Sequence, residues 1–299
     1  MNIIGKKYFY FLISLIVIVP GIISLILFGL NPSIEFTGGS QITFSFPQKI
    51  SDVQIKNVEK VFKSNNIKVE SVQKSNNLVY IKSQNVDQKK DIAITTVLKK
   101  DFPNFKQEDY ETVGATIGKE TLINAVKALV IASFLIVLYI TWSFRKVPKP
   151  TSSFRFGVAA IVALIHDALV LLGIFSILGH FLAVEVDSLF VTAILTVIGF
   201  SVHDTIVVFD RIRENLRRVG GNNFAEVVNN SILQTLDRSL NTSLTVVLVL
   251  IALLIFGGDS IRWFVVALLI GVISGTYSSI FNAAPLLVVW QELLEKRKK

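Results

Sequence analysis

Val197-Ile198-Gly199-Phe200-Ser201-Val202-His203-Asp204-Thr205-Ile206-Val207-Val208-Phe209-Asp210-Arg211-Ile212-Arg213-Glu214-Asn215 sets an ionisable pair, His203-Asp204, inside an apolar run long enough to cross a bilayer. The run then closes on alternating Asp and Arg. A carboxylate at membrane depth costs about 3 kcal/mol, so such groups are kept for ion or proton handling or for a buried partner. Asp204 is therefore the first candidate functional residue.

Working outward, 52% of the chain is apolar and 17% charged, with the apolar residues gathered in blocks. Runs near the roughly 20 residues needed to cross hydrocarbon fall at 9–30, 122–142, 156–178, 188–209, 239–256 and 263–290. The expected fold class is an α-helical polytopic membrane protein with six transmembrane helices. The purely apolar part of the fifth run, 244–256, is too short alone. That helix is expected to begin earlier, through Arg238-Ser239-Leu240-Asn241-Thr242-Ser243, which puts polar groups inside or at the edge of the membrane.

Orientation follows from Lys and Arg in short loops, which stay cytoplasmic. Lys6 and Lys7, then Arg145, Lys146, Lys149 and Arg155, then Arg211, Arg213, Arg217 and Arg218, then Lys296-Arg297-Lys298-Lys299 fall on one side of a six-helix path. Both termini are thus expected in the cytoplasm. The opposite loops, 179–187 and 257–260, hold acidic residues and no Lys or Arg. The net charge of +8 reads as a topology signal, and no nucleic-acid partner is expected, because the basic residues sit at membrane edges rather than on one face. The first apolar run is too long for a cleaved leader and lacks a small-x-small site before Asn31-Pro32, so it is expected to remain as an anchor. Cysteine is absent, which removes disulfides from the account.

The organisation expected is a first helix at 1–30, an external domain at 31–121 and a five-helix bundle at 122–299. The external segment is the one long polar stretch. Residues 34–46 are rich in β-branched and aromatic types, and Ser51-Asp52 opens a helical run with Val53, Val58, Val61 and Phe62 on one face. Strands are expected at 68–73 and 78–82 around a Ser75-Asn76-Asn77 turn. A second helix over 86–100 ends before Pro103, and a last strand covers 109–113. The order βαββαβ predicts a small α+β, ferredoxin-like domain. After the fourth transmembrane helix, the segment 210–237 holds Phe224, Val227, Val228, Ile232 and Leu236 at helical spacing behind a cap at Asn222 or Asn223. An amphipathic helix at the cytoplasmic membrane surface is one reading; packing against neighbouring helices is the other.

A family resemblance covers nearly the whole chain. Ile34-Glu35-Phe36-Thr37-Gly38-Gly39-Ser40 resembles the D-F-T-G-G signature of the SecD/SecF protein-export family. Val113-Gly114-Ala115-Thr116-Ile117-Gly118-Lys119-Glu120 resembles its V-G-P-x-V-G-x-E entry into the second helix, and Ala163-Leu164-Ile165-His166-Asp167 resembles an H-D motif in the third. The opening stretch resembles the N-D-T-I-V-V-F-D-R-I-R-E-N sequence of the SecF members. Glu35 stands where Asp is usual, Ala115 where Pro is usual, and His203 where Asn is common.

The resemblance implies a subunit that works with SecD beside the SecYEG channel, with YajC and YidC as further partners, using the proton-motive force to draw unfolded polypeptide outward. It implies a multi-pass protein of the inner, or plasma, membrane, coupled to protons with no cofactor. The matching proton-pathway positions are Asp204 and Arg238. On helical geometry Val197, Ser201, Asp204 and Val208 share one face, and Arg238, Asn241, Thr242 and Thr245 another, so a polar seam between the two helices is expected. His203, Ser201, His166, Asp167 and Thr242 are supporting candidates, and Glu35, Thr37, Gly38 and Gly39 form the external motif. Gly38-Gly39 is read as a turn that lets backbone approach another segment. Gly271, Gly275 and Ser279 recur every four residues, a pattern for close helix packing.

Duller readings compete. Asp204 is alternatively a structural acid hydrogen-bonded to Ser or Thr of another helix, and Arg238 a residue that snorkels to the interface. Metal binding by His166, Asp167, His203 and Asp204, or an aspartyl dyad of Asp167 with Asp204, lacks the spacing or flanking motifs of such enzymes. No enzyme activity is expected. A proton-coupled RND-like exporter of small molecules is the alternative function, and it normally needs a larger two-repeat chain.

Overall fold

A computed structural model describes residues 1–47, 51–75, 77–102, 104–219 and 223–298; Asn76, Pro103 and Asn222 lie outside the described residues. In chain order the elements are α1 (Lys7–Leu27), α2 (Ile34–Thr37), β1 (Gly39–Ser45), α3 (Asp52–Ser64), β2 (Val69–Ser75), β3 (Leu78–Ser83), α4 (Gln88–Asp101), β4 (Lys106–Val113), α5 (Ala115–Ser143), α6 (Ser153–Leu182), α7 (Ser188–Val219), α8 (Phe224–Phe256), α9 (Asp259–Ser278), a π turn (Ser279–Ala283) and α10 (Ala284–Lys298). They form two compact units, Pro32–Val126 and Met1–Asn31 with Lys127–Lys299.

The polar unit carries the ferredoxin-like order β1-α3-β2-β3-α4-β4, with an antiparallel sheet in the order β2-β3-β1-β4. Alternation along the strands turns Ile42 and Phe44 of β1 and Val79 and Ile81 of β3 into a core with Val58, Phe62, Ile94 and Leu98 from the two helices. Each helix is started by its own sequence. Ser51 and Gln54 form a reciprocal capping box on α3, and Asp87 Oδ1 accepts the Lys90 N–H at 2.8 Å on α4.

The expected strand over 34–46 begins only at Gly39. Gly38 (φ 74°) and Gly39 (φ 115°) turn the chain, leaving Ile34–Thr37 as one helical turn that Gly38 N–H closes on the Ile34 carbonyl at 2.8 Å. These glycines also admit backbone. A Cβ on Gly38 would stand 2.7 Å from Ala115 Cα, and one on Gly39 2.6 Å from the Ser83 carbonyl. Thr37 Oγ1 donates to the Ser33 carbonyl at 3.1 Å, locking the same turn.

Six helical spans among the described residues are long and apolar enough to cross a membrane: Ile4–Leu27, Ala115–Ser143, Ser153–Leu182, Ser188–Arg218, Phe224–Phe256 and Asp259–Arg297. Helices satisfy their backbone polar groups internally, as hydrocarbon requires. Large apolar side chains of α1, α5 and α8 face outward, Leu15, Phe134 and Leu248 among them. Close approach is set by small residues. Gly21 of α1 meets Gly173 of α6, where an added Cβ would lie 2.9 Å from the Gly173 Cα, and Gly271 and Gly275 of α9 lie against Val197 and Ser201 of α7.

The segment 210–237 is not a separate surface helix. α7 runs on to Val219 and α8 starts at Phe224, because both ends have reasons to stay helical. Arg213 pairs with Asp210, and Glu214 bonds Arg211 and Arg218 at 2.6 Å each. Asn223 caps α8 by accepting the Glu226 N–H at 3.4 Å, while Phe224, Val227, Val228 and Ile232 are buried in the bundle core.

Candidate functional site

On α7, one helical turn presents Ser201, Asp204 and Thr205 inward between Val197 and Val208, all buried. On α8 the inward stripe is Ser231, Thr235, Ser239 and Ser243, spaced by four residues. Three of these hydroxyls donate back to their own helix: Ser231 to the Val227 carbonyl (2.7 Å), Thr235 to that of Ser231 (3.1 Å) and Ser243 to that of Ser239 (2.8 Å). Ser239 instead turns across the interface and donates to Asp204 Oδ1 at 2.6 Å. Asp204 is 6% exposed, and its Oδ2 meets no donor among the described residues. The result is a buried carboxyl with one hydrogen-bonded oxygen and one buried oxygen that no described donor reaches.

Arg238 does not face Asp204. The residue that does is its neighbour Ser239, and successive residues on an α-helix are rotated by about 100°. Arg238, Asn241, Thr242 and Thr245 all lie on the exposed side of α8; Thr242 Oγ1 bonds the Arg238 carbonyl at 2.9 Å. The same rotation puts His203 on the exposed side of α7 while Asp204 is buried. A polar seam between α7 and α8 exists, but its α8 side is the buried face of Ser231, Thr235, Ser239 and Ser243 rather than the expected face of Arg238, Asn241, Thr242 and Thr245.

A second buried carboxylate, Asp167 on α6, is 1% exposed and fully hydrogen-bonded. Its Oδ1 accepts from Ser274 Oγ (2.7 Å) and lies 2.9 Å from His166 Nδ1. Its Oδ2 accepts from Ser201 Oγ (2.5 Å) and Ser278 Oγ (2.6 Å). Thus α7 meets both carboxylates within one turn: Ser201 bonds Asp167, and Asp204 bonds Ser239. Thr205 Oγ1 and Ser279 Oγ, 2.8 Å apart, tie that turn to the π turn, and Ser243 reaches Thr276 of α9 at 2.5 Å. Ser279, expected only as a small packing residue, is a hydrogen-bonding member of the cluster.

Sequence reasoning placed Ser239 and Ser243 only as polar groups at the start of the fifth span, and it missed Ser274, Ser278, Ser14 and Asn282. The legible signal was hydroxyls recurring every fourth residue in apolar helices, 231-235-239-243 and 274-278, which marks one buried face. No group of three or more His, Cys, Asp or Glu residues among those described could hold a metal, and Asp167 and Asp204 engage different partners rather than each other. Glu35, Thr37, Gly38 and Gly39 belong to the polar unit and shape its entry turn.

Fold and site together define a class: a six-helix membrane subunit with an α+β unit after its first helix and two carboxylates buried in the bundle. The chain belongs to the SecD/SecF family of protein-export membrane proteins. Residues 93–293 match the family model described as protein export membrane protein SecD/SecF, C-terminal, and residues 23–48 match the SecD/SecF GG motif. Its relatives include the protein translocase subunit SecF of Thermobaculum terrenum, 46% identical over 97% of this chain and 94% of that protein. That of Anaerolinea thermophila is 43% identical over the same shares. The crystal structure of SecDF from Thermus thermophilus, a translocon-associated membrane protein, superposes with a TM-score of 0.85 at 30% identity over 98% of this chain. The chain spans 39% of that longer SecDF protein. It is a multi-pass membrane protein of protein transport.

Proposed function

We propose that this chain is the SecF-type half of an export motor that uses the proton-motive force to promote passage of unfolded polypeptide through the SecYEG channel. Asp204 is the proton-responsive group. The observation that carries this reading is its geometry: a carboxyl buried between α7 and α8, bonded through Oδ1 to Ser239, with Oδ2 buried and meeting no donor among the described residues. A proton added at Oδ2 cancels the charge, and its departure restores a carboxylate that draws donors toward the seam. One elementary charge moving through 100 mV is worth about 2.3 kcal/mol, enough to bias a two-state equilibrium more than tenfold.

The partner is SecD. The protein translocase subunit SecDF of Bacillus subtilis is 38% identical to this chain, which spans 38% of it. This supports a SecD half as the complement of this SecF-type half. YajC and YidC are further proposed partners. The basic flanks of the helices support cytoplasmic termini in the inner, or plasma, membrane. No cofactor or chemical reaction is assigned; the work is conformational. Arg238, His203 and Thr242 lie on the exposed side of the bundle, where a partner subunit can reach them.

The test is Asp204→Asn in cells lacking the wild-type copy, with export followed as precursor accumulation and in inverted vesicles with and without a proton gradient. The variant is expected to insert and to co-purify with SecD while losing gradient-dependent stimulation, and Ser239→Ala is expected to weaken it. Normal gradient-dependent export by Asp204→Asn refutes the assignment.

A further inference from the structure

His166 is a buried titratable group that the role proposed for Asp204 leaves unused; it is 8% exposed. Its Nδ1 lies 2.9 Å from Asp167 Oδ1 and its Nε2 3.0 Å from Ser14 Oγ of α1. Asp167 receives hydroxyl donors from Ser201, Ser274 and Ser278, so it is an acceptor toward the ring and Nδ1 carries the hydrogen. Nε2 is then free to accept a hydrogen bond or, once protonated, to donate one.

The groups beyond Nε2 suit either state. Asn282 of the π turn donates from Nδ2 to Ser14 Oγ at 2.7 Å, which leaves the Ser14 hydrogen to donate to Nε2. Asn282 Oδ1 is buried and meets no donor among the described residues. Turning that amide over reverses the chain: Nε2–H donates to Ser14, and Ser14 donates to Asn282 Oδ1. Hydroxyl and amide groups are the side chains that permit such a reversal, because each both donates and accepts.

We propose that His166 is a second proton-accepting site of the bundle, with Asp167 as its fixed counter-ion and Ser14-Asn282 as a hydrogen-bond chain that reverses when the proton arrives. The proton enters at Nε2, no bond between heavy atoms changes, and the pair passes from one net negative charge to neutrality. Of the other titratable groups on the packed elements, Tyr277 of α9 borders the site: its ring stacks on the imidazole at 6.4 Å between centroids, and its hydroxyl donates to the Tyr10 carbonyl and also reaches Ser14. The rest are engaged elsewhere. The Tyr10 ring packs on Phe281, Lys7 of α1 bonds Glu292 of α10 at 2.5 Å, and Asp204 of α7 bonds Ser239. Because Ser14 and Asn282 sit on α1 and on the π turn, reversal changes the bonding between the first and last spans.

The site is distinct from Asp204, and its test reads the ring itself rather than export. The chain has three histidines; His180→Gln with His203→Asn, both exposed positions, leaves His166 as the sole one. The full-length variant, labelled with 15N-histidine in lipid nanodiscs, is followed by NMR across pH. The ring is expected as the Nδ1–H neutral form in alkali, converting reversibly to imidazolium in acid. Ser14→Ala leaves a protonated Nε2 unpaired, and the ratio of imidazolium to neutral ring at a given pH is expected to fall about tenfold. Asn282→Leu gives the same comparison if Ser14→Ala does not fold. A ring that keeps one form throughout the folded range, or a titration unmoved by both substitutions, overturns the proposal.

Discussion

Gly271→Ala is the sharpest test of how the bundle is held. A Cβ at that position would stand 2.0 Å from Val197 Cγ2, 2.6 Å from Cγ1 and 2.8 Å from Cβ. Val197 is buried and β-branched, so its side chain has few rotamers into which it can retreat. Ordinary contact begins near 3.4 Å, so α7 and α9 must part by about 1.4 Å along that line. Overpacking of this kind costs about 1–3 kcal/mol. The movement also pulls Ser274 and Ser278 of α9 from Asp167, where they now bond at 2.7 and 2.6 Å, and bonds to a charged group are worth about 1.5–3 kcal/mol each. The expected loss is therefore about 3 kcal/mol or more. Val197→Ala removes the two nearest clashing atoms and leaves the Cβ at 2.8 Å, so the double variant should regain part of that loss, and a double-mutant cycle should return a favourable coupling. Unfolding of the full chain in detergent micelles by graded denaturing detergent provides the readout. A Gly271→Ala protein as stable as wild type, or a double variant no better than Gly271→Ala, refutes the packing argument.

Two further expectations concern the polar unit. Gly39→Ala should destabilise it by about 2 kcal/mol or more, from backbone strain at φ 115° and a 2.6 Å approach to the Ser83 carbonyl; limited proteolysis of the full chain should show faster cleavage within 32–126, and unchanged resistance would contradict it. Glu111 has its carboxyl pushed above the ordinary range by partial burial and by the neighbouring Asp109 and Glu35. The native state thus holds that proton to higher pH than the unfolded chain. Its contribution to stability is most favourable in acid and declines as pH rises through the ordinary carboxylate range into the raised one. Glu111→Gln should therefore stabilise the unit near neutral pH and lose that advantage in acid, read as thermal unfolding midpoints across pH; a pH-independent difference would count against it.

How far the sequence could be read differs between helix and site. Length and apolar content were enough for six spans, because crossing hydrocarbon demands a minimum run and an internally bonded backbone, both local properties. The βαββαβ order was equally legible from alternation and caps such as Ser51 with Gln54. The first strand was misjudged because 34–37 has strand-forming residues, yet the positive φ angles of Gly38 and Gly39 turn the chain after them. The segment 210–237 was ambiguous because a membrane surface and a packed helical junction demand the same apolar periodicity. Its burial, with Val228 and Ile232 inaccessible, comes from neighbours that periodicity does not name.

For the site, the sequence by itself determined that Asp204 and Asp167 must be buried polar points, because charge in an apolar run has to be accommodated wherever the helices go. Only the tertiary structure decided what accommodates them. Whether Arg238 or Ser239 reaches Asp204 turns on a rotation of about 100° about the α8 axis, and that rotation is set by packing against α7 and α9. Polar side chains scattered over α1, α6, α7, α8 and α9 become two networks because glycines at 21, 173, 271 and 275 let those backbones approach. Helix periodicity is a short-range property of the chain; which faces meet is a property of all the helices together.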